Sequence, residues 1–466
     1  MVMGELPVKT DLLVIGGGPG GYAAAFRAAD LGLDVTLVSD EPPGGVCLLR
    51  GCIPSKTLLY LAELLEASRA AESMGLRFGE PQIDLEGIGR WRDKVIGQLT
   101  RGLEGLCRKR GVQLIRGRAH FEGPERVRLE HSDVAAIDFR HAIIATGSRP
   151  RMPPGVEAGG RIMDSTAALT LPDIPERLLA VGGGYVGLEM GTVYAALGSR
   201  VTVVQSQDRL LPPVDDDLVK PLVRKLEKQF EAIHYNTRAT GLEIGDETVQ
   251  VTLSGDVEST ERFDRVLVAI GRVPNIEGLN LEATGVETDR RGAIQTDEQR
   301  RTAEPNIFAI GDVAGGALLA HKAMHEGKVA AEAIAGQPAA FDARAIPAVV
   351  YTDPQIAWCG LTEGEAQSAG TRVRVDRFPW NASGRALSMG AGEGMTKVIS
   401  DPENGRVLGV GIVGRDAEAL IAEGVLAIEM GAVAEDLARC IHPHPTLSET
   451  LGEAAELTLG GSTHFK

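Results

Sequence analysis

Asp11-Leu12-Leu13-Val14-Ile15-Gly16-Gly17-Gly18-Pro19-Gly20-Gly21-Tyr22 sets a short apolar, β-prone run against a six-residue stretch in which five residues are glycine. A helical pattern follows from Tyr22 to Leu31, Gly32 ends it, and Leu33 to Val38 reads as a second strand. Strand, G-x-G-x-x-G, helix, strand is the context that gives the glycine motif meaning. Gly16 makes the turn, Gly18 lets backbone approach a pyrophosphate, and Gly21 lets helix and strand pack closely. A purely structural glycine turn is the lesser alternative, because every flanking element falls in place. The acid expected at the end of the second strand, where it would bind ribose hydroxyls, is absent. Ser39 stands there with Asp40 and Glu41 behind it, and a one-residue adjustment would hand the task to Asp40.

Outward from this unit, His141 to Ile144 reads as a buried strand, and Thr146-Gly147-Ser148-Arg149-Pro150 leads to a domain boundary. The opening pattern then recurs. Leu178 to Val181 is a strand, Gly182-Gly183-Gly184-Tyr185-Val186-Gly187 repeats G-x-G-x-x-G, Leu188 to Leu197 is a helix closed by Gly198, and Arg200 to Val204 is the next strand. Val266 to Asn275 echoes the Ile143 to Pro150 segment with its own glycine, arginine and proline. Two nucleotide folds imply two nucleotides, and passing electrons between them is the simplest reason to hold both. Gln205 occupies the second strand end, where a neutral amide relaxes but does not reverse the preference for NAD over NADP. No arginine cluster accompanies it, Arg209 being the nearest cation.

Between the two units lies Gly44-Gly45-Val46-Cys47-Leu48-Leu49-Arg50-Gly51-Cys52-Ile53-Pro54-Ser55-Lys56, with a helix expected through Leu65. Thiols at a helix start sit near its positive dipole end, which favours thiolate and makes them nucleophilic and oxidisable. Two structural cysteines or half a metal site are the alternatives. Cys107, Cys359 and Cys440 stand alone without the short spacing a metal site needs. From Leu61 to Arg110 the pattern is helical, with Trp91 to Cys107 amphipathic, and strands follow to Phe139.

Asn306 to Asp312 reads as a strand ending in an exposed aspartate, placed either to bind a polyol or to cap a helix over Ala317 to Ala335. Past Gly336 the sequence reads as antiparallel strands at Ile346 to Val350, Thr371 to Phe378, Thr396 to Ser400 and Val407 to Val413, with helices at Ala417 to Met430 and Val433 to Ala438. This third region carries no nucleotide fingerprint and suits assembly. In His442-Pro443-His444-Pro445-Thr446-Leu447-Ser448-Glu449, prolines stiffen the loop that presents His444, and Glu449 could fix its tautomer. A solvated turn histidine is the plain alternative.

At 466 residues the chain predicts about three domains. The formal charge of −16 argues against nucleic acid or anionic membrane as the main partner. Met1 to Thr10 is a short polar lead, no apolar run is long enough to span a bilayer, and five cysteines suit a reducing compartment. A cytoplasmic protein is expected.

Taken together, these motifs resemble the flavin-dependent pyridine nucleotide disulfide oxidoreductases over nearly the whole chain, from Gly16 to Glu449. Gly45 to Lys56 matches the redox-disulfide motif, Gly311-Asp312 the flavin ribityl motif, and His444 to Glu449 the acid–base motif. Ala320-His321-Lys322-Ala323 and the Leu447-containing motif favour the lipoamide branch. The resemblance implies an α/β fold with two Rossmann-like domains, for FAD (1–150 and 276–345, discontinuous) and NAD (151–275), plus a C-terminal α+β dimerisation domain (346–466). It implies one FAD per subunit, held by Gly16, Gly18, Gly21, Ser39, Asp40, Gly45, Lys56, Ala119, Thr146, Gly147, Asp312 and Ala320. NAD would be held by Gly182, Gly184, Gly187, Gln205 and Gly271. Cys47 would exchange with the substrate dithiol and Cys52 would face the flavin. Lys56 would pair with Glu189, and His444, oriented by Glu449, would serve the disulfide of the partner subunit in a homodimer. No metal is implied.

The reaction so implied is oxidation of dihydrolipoyl groups on a carrier protein or lipoyl domain, with NAD reduced. Ser39, Gln205 and Leu48-Leu49-Arg50 depart from the family pattern; Arg50 could lower a thiol pKa, attract an anionic substrate or point into solvent. A mercuric or large thioredoxin reductase would add cysteines near the C-terminus, and Gly452 to Lys466 has none. A glutathione-type enzyme would show itself with glutathione disulfide and NADPH. A flavoprotein that only docks lipoyl domains would need neither cysteine nor His444.

Overall fold

The computed structural model describes residues 7–466, so most of the polar lead lies outside the described residues. Two compact units emerge. One comprises the chain to Thr57, Asp84–Pro153 and Gly271–Asp342; the other comprises Leu58–Ile83, Pro154–Ile270 and Ala343–Lys466.

In the first unit, strand Val8–Ile15 runs parallel to Val35–Ser39 on one side and Ala136–Ile144 on the other. Leu12, Leu13 and Val14 are wholly buried. An unbroken apolar run is what a parallel strand covered on both faces requires. Ala136–Ile144 is long enough to be shared: its start pairs antiparallel with Arg126–Glu130 and its end parallel with Ile307–Ala309. Helices Pro19–Asp30 and Ala320–Ile334 cross closely because small residues meet there. A Cβ on Gly327 would stand 2.5 Å from the Gly20 carbonyl oxygen.

The second unit repeats the design. Arg177–Val181 lies parallel between Arg200–Val204 and Arg265–Val268, with Ala232–His234 and Ile162–Met163 outside them. Residues after Ala343 form a five-stranded antiparallel sheet in the order Ala348–Val350, Gln355–Gly360, Val407–Gly414, Met395–Ser400, Arg374–Pro379. Its core gathers Phe378, Trp380, Ile412, Ile428 and Leu451. The architecture is thus α/β, two Rossmann-like folds with a C-terminal α+β domain.

The expected helix from Leu61 to Arg110 is interrupted. Cys52–Ala70 runs into a 3-10 turn at Ala71–Met74 and stops, and Leu85–Lys109 starts anew from Asp84, whose side chain accepts from the Gly87 N–H at 2.9 Å. Gly75, Gly79 and Pro81 supply the break. Strand Gln355–Gly360 and helices Glu363–Ala369 and Glu449–Glu456 were not anticipated, although Thr362 and Glu365 form a capping box that marks the second of these in sequence. Among the described residues, no helix is long and apolar enough to cross a membrane.

Candidate functional site

Helix Pro19–Asp30 begins at Gly18 with no side-chain cap, leaving its first N–H groups open to an anion. Gly16 has φ +112°, and a Cβ there would stand 2.3 Å from the Ala145 carbonyl oxygen; one on Gly21 would stand 1.9 Å from that of Gly16. At Gly18 the nearest atom to such a Cβ is the Gly45 Cα, at 4.0 Å. Two glycines are thus required by packing while the third keeps space above an open helix end, which fits the pyrophosphate of a flavin dinucleotide. Ser39 is buried beside Gly17, whereas Asp40 is exposed and paired with Arg118 at 3.0 Å. Ala119 is buried in the strand Arg118–Gly123.

Beside Gly16, just past the end of the neighbouring parallel strand Ala136–Ile144, the Thr146 hydroxyl donates to the Asn275 carbonyl at 2.7 Å and the Asn275 amide returns a bond to the Thr146 carbonyl at 3.0 Å. Gly147, φ +71°, follows. Ser148 donates to Asp312 at 2.5 Å while accepting from Arg272 at 2.7 Å. Asp312 lies in the 3-10 turn Gly311–Ala314 and does not cap Ala320–Ile334, whose N-cap is Leu319. Behind this turn, the fully buried Glu326 accepts from the Gly311 N–H at 2.7 Å and pairs with Lys322 and Arg300, each at 3.0 Å. Glu326 was missed in the sequence, its only signal being a carboxylate four residues from Lys322 on one helix face.

Cys47 sits on the short helix Gly45–Arg50, and Cys52 opens helix Cys52–Ala70; both are thiols here. A hydrogen bond to Cys52, burial and the charge of Cys52 hold the Cys47 thiol well above its ordinary pKa, against the nearby Lys56 ammonium. One negative charge is therefore easily held by the pair and two are not. Tyr22, on the first helix, has its phenol raised by burial and then by Cys47 and Cys52, so it belongs to this neighbourhood. Arg50 pairs with Glu41, which offsets its charge.

The second glycine loop has the same construction. Gly182 has φ +112° with a Cβ position 2.4 Å from the Ala269 carbonyl oxygen, and that of Gly187 is 2.1 Å from Gly182. Gly184 has nothing within 4 Å and leaves helix Tyr185–Leu197 uncapped. Gln205 is buried and spends its amide on backbone, accepting from the Gly183 N–H at 3.2 Å and donating to the Arg209 carbonyl at 3.0 Å. Glu189 is buried and accepts from the Tyr351 N–H at 3.0 Å. Gly271, φ +115°, has open space around it.

In the C-terminal loop, His444 Nδ1 lies 2.8 Å from Glu449 Oε1, and the other carboxylate oxygen accepts from the Thr446 N–H at 2.7 Å. Burial acts to raise the Glu449 pKa, but the Thr446 N–H and His444 outweigh it and hold the carboxyl below its ordinary range. The imidazole itself is 73% exposed, free to meet a reactant while one ring nitrogen is held. Elsewhere, Asp215, Asp217 and Glu363 surround the buried Lys397 ammonium at 2.7, 2.8 and 2.6 Å, a cluster that sequence reasoning also missed.

Residues 10–327 match the pyridine nucleotide-disulphide oxidoreductase family, and residues 346–455 match its dimerisation domain. The chain is 46% identical over 461 residues to dihydrolipoyl dehydrogenase of Vibrio parahaemolyticus, covering 98% of this chain and 97% of the relative. It is 48% identical to that of Thermus scotoductus, with 96% of each chain covered. Among solved structures, LpdA from Mycobacterium tuberculosis superposes with TM-score 0.89 at 29% identity, covering 96% of this chain and 99% of that one.

Proposed function

The chain belongs to the pyridine nucleotide-disulphide oxidoreductases, and from that premise we propose that it acts as a dihydrolipoyl dehydrogenase, oxidising protein-bound dihydrolipoyl groups to lipoyl and reducing NAD to NADH. The observation that carries the reading is the Cys47–Cys52 pair, one thiol hydrogen-bonded to the other, on a short helix whose first residue, Gly45, packs against Gly18 of a glycine loop fit for a dinucleotide.

In the working cycle the pair is oxidised to a disulfide. A dihydrolipoyl thiolate attacks Cys47 sulfur, the Cys47–Cys52 bond breaks, and Cys52 leaves as a thiolate favoured by the helix end and by Lys56. The substrate's second thiol gives its proton to His444 of the partner subunit and displaces Cys47, closing the lipoyl disulfide; the His444 imidazolium passes that proton on to the departing Cys47 sulfur, whose raised pKa favours the thiol. FAD, when bound, carries the two electrons from the reduced pair to NAD. Glu449 keeps the His444 ring in one tautomer. Gly16, Gly18, Gly21, Ser39, Asp40, Gly45, Lys56, Ala119, Thr146, Gly147, Asp312 and Ala320 hold FAD; Gly182, Gly184, Gly187, Gln205 and Gly271 hold NAD. A homodimer follows from the C-terminal domain, and its lipoyl partner is a carrier protein or lipoyl domain. The three-domain division at 150, 275 and 345 and a cytoplasmic location complete the proposal.

Purified FAD-loaded protein given dihydrolipoamide and NAD tests it. Rapid NADH formation is expected, and its loss in Cys52→Ser with flavin retained; a turning-over Cys52→Ser enzyme overturns the assignment.

A further inference from the structure

Resting on the NAD-dependent reading above, we propose that nucleotide choice in the second glycine loop is set by Asp216 acting on Arg209, not by the residue at the strand end. An acid at the strand end ordinarily accepts from the ribose 2′-hydroxyl and repels a 2′-phosphate, and an arginine nearby accommodates that phosphate. Here Gln205 is neutral and its amide is committed to the Gly183 N–H and the Arg209 carbonyl. A carboxylate in its place would set an acceptor against the Arg209 carbonyl oxygen, so this loop is built on an amide.

The turn that Gln205 holds folds back over the glycine loop. The Leu211 N–H donates to the Gly183 carbonyl at 3.1 Å, and a Cβ on Gly183 would meet the Leu210 side chain at 2.5 Å. Arg209 therefore stands beside the strand end, where a 2′-substituent would come. Its guanidinium lies 3.0 Å from Asp216 and also donates to the Val214 carbonyl. The neighbours Asp215 and Asp217 turn to Lys397, whereas Asp216, 66% exposed, turns to Arg209. Paired in this way, Arg209 presents no net charge to a phosphate dianion, and Asp216 does the work that the missing strand-end acid would have done.

The test measures NAD and NADP binding to the FAD-loaded dimer by isothermal titration calorimetry, with dihydrolipoamide turnover as a second readout. Asp216→Asn should tighten NADP by roughly five-fold or more, the scale of one surface charge interaction, while NAD stays within about two-fold. The double variant Arg209→Gln/Asp216→Asn should lose that gain. Asp216 is an exposed first residue of its helix, and Asp216→Ser, a second neutralising variant, should repeat the result. An unchanged NADP-to-NAD ratio in both single variants, or a gain that persists without Arg209, overturns the proposal. The two readings fail separately: absent dihydrolipoamide turnover in the wild type sinks the reaction, whereas the binding ratio judges the ion pair.

Discussion

A Cβ on Gly45 would stand 2.5 Å from the Cα of Gly18. The redox helix and the first glycine loop, some 25 residues apart in sequence, are thus fitted together at van der Waals contact, with the Gly44 N–H donating to the Gly17 carbonyl at 2.8 Å beside them. Gly45 also has φ +57°, which penalises any side chain. Gly45→Ala should therefore push the loop out of register and lower the flavin bound per subunit several-fold. Wild-type flavin content in that variant would show that the contact is dispensable.

The Cys47 thiol is raised chiefly by its hydrogen bond to Cys52. Raising a thiol pKa disfavours the thiolate, so in the reduced protein Cys47 should be alkylated only at alkaline pH. Removing the cause in Cys52→Ala should move the midpoint of Cys47 alkylation by iodoacetamide to lower pH, leaving only burial to hold it up. A midpoint that stays in place would mean that burial alone sets it.

How much of this was legible in sequence depends on the range of the interaction. The two glycine loops were read because strand, turn and helix are consecutive, and Gly16 and Gly21 answer steric demands of that turn while Gly18 leaves space above it. Cys47 and Cys52, and likewise His444 and Glu449, could be singled out as candidates because each pair lies within one short motif. Glu326 and Lys397 escaped because their partners come from distant segments: Arg300 for one, Asp215, Asp217 and Glu363 for the other. A buried charge is invisible until the fold supplies its counter-charges. Gln205 was legible as a departure, but its commitment to the Gly183 and Arg209 backbone was not.

Lys397 is the centre of such a network. Burial acts to lower its pKa, yet the three carboxylates outweigh it and hold the ammonium charged. Asp217 is held below its ordinary range by Lys397 and Arg377 despite burial. The sign follows for both partners. The Asp217 contribution is present above its ordinary pKa and fades as pH falls through the depressed value, while that of Lys397 is complete below its ordinary pKa and fades as pH rises through the raised one. Lys397→Met should cost about 3–5 kcal/mol at neutral pH by leaving three carboxylates, with atoms within 4.8 Å of one another, without their central cation. The loss should shrink on acidification, as protonation relieves the repulsion. Denaturant midpoints of wild type and variant at pH 8 and at about pH 3.5, below the ordinary aspartate value, check this; an equal loss at both would assign the effect to packing.

The His444–Glu449 pair makes a graded prediction. His444→Gln removes the proposed proton acceptor and should lower lipoamide turnover by about 10²-fold or more, with FAD content unchanged. Glu449→Gln keeps the shape but presents an amide to the ring nitrogen or to the Thr446 N–H, which now both face one carboxylate. Whichever way the amide turns, one of those two bonds is lost or the tautomer reverses, so turnover should fall by less than in His444→Gln but by more than about ten-fold. The depressed Glu449 pKa means that the native carboxylate stays ionised as pH falls to its ordinary value of 4.5, and its stabilising contact is lost only below that. Wild-type enzyme losing activity between pH 7 and pH 5 therefore does so through another group, and Glu449→Gln should not abolish that acid limb. If the variant instead matches wild type in turnover at every pH, Glu449 only shapes the loop, and His444 acts without an orienting partner.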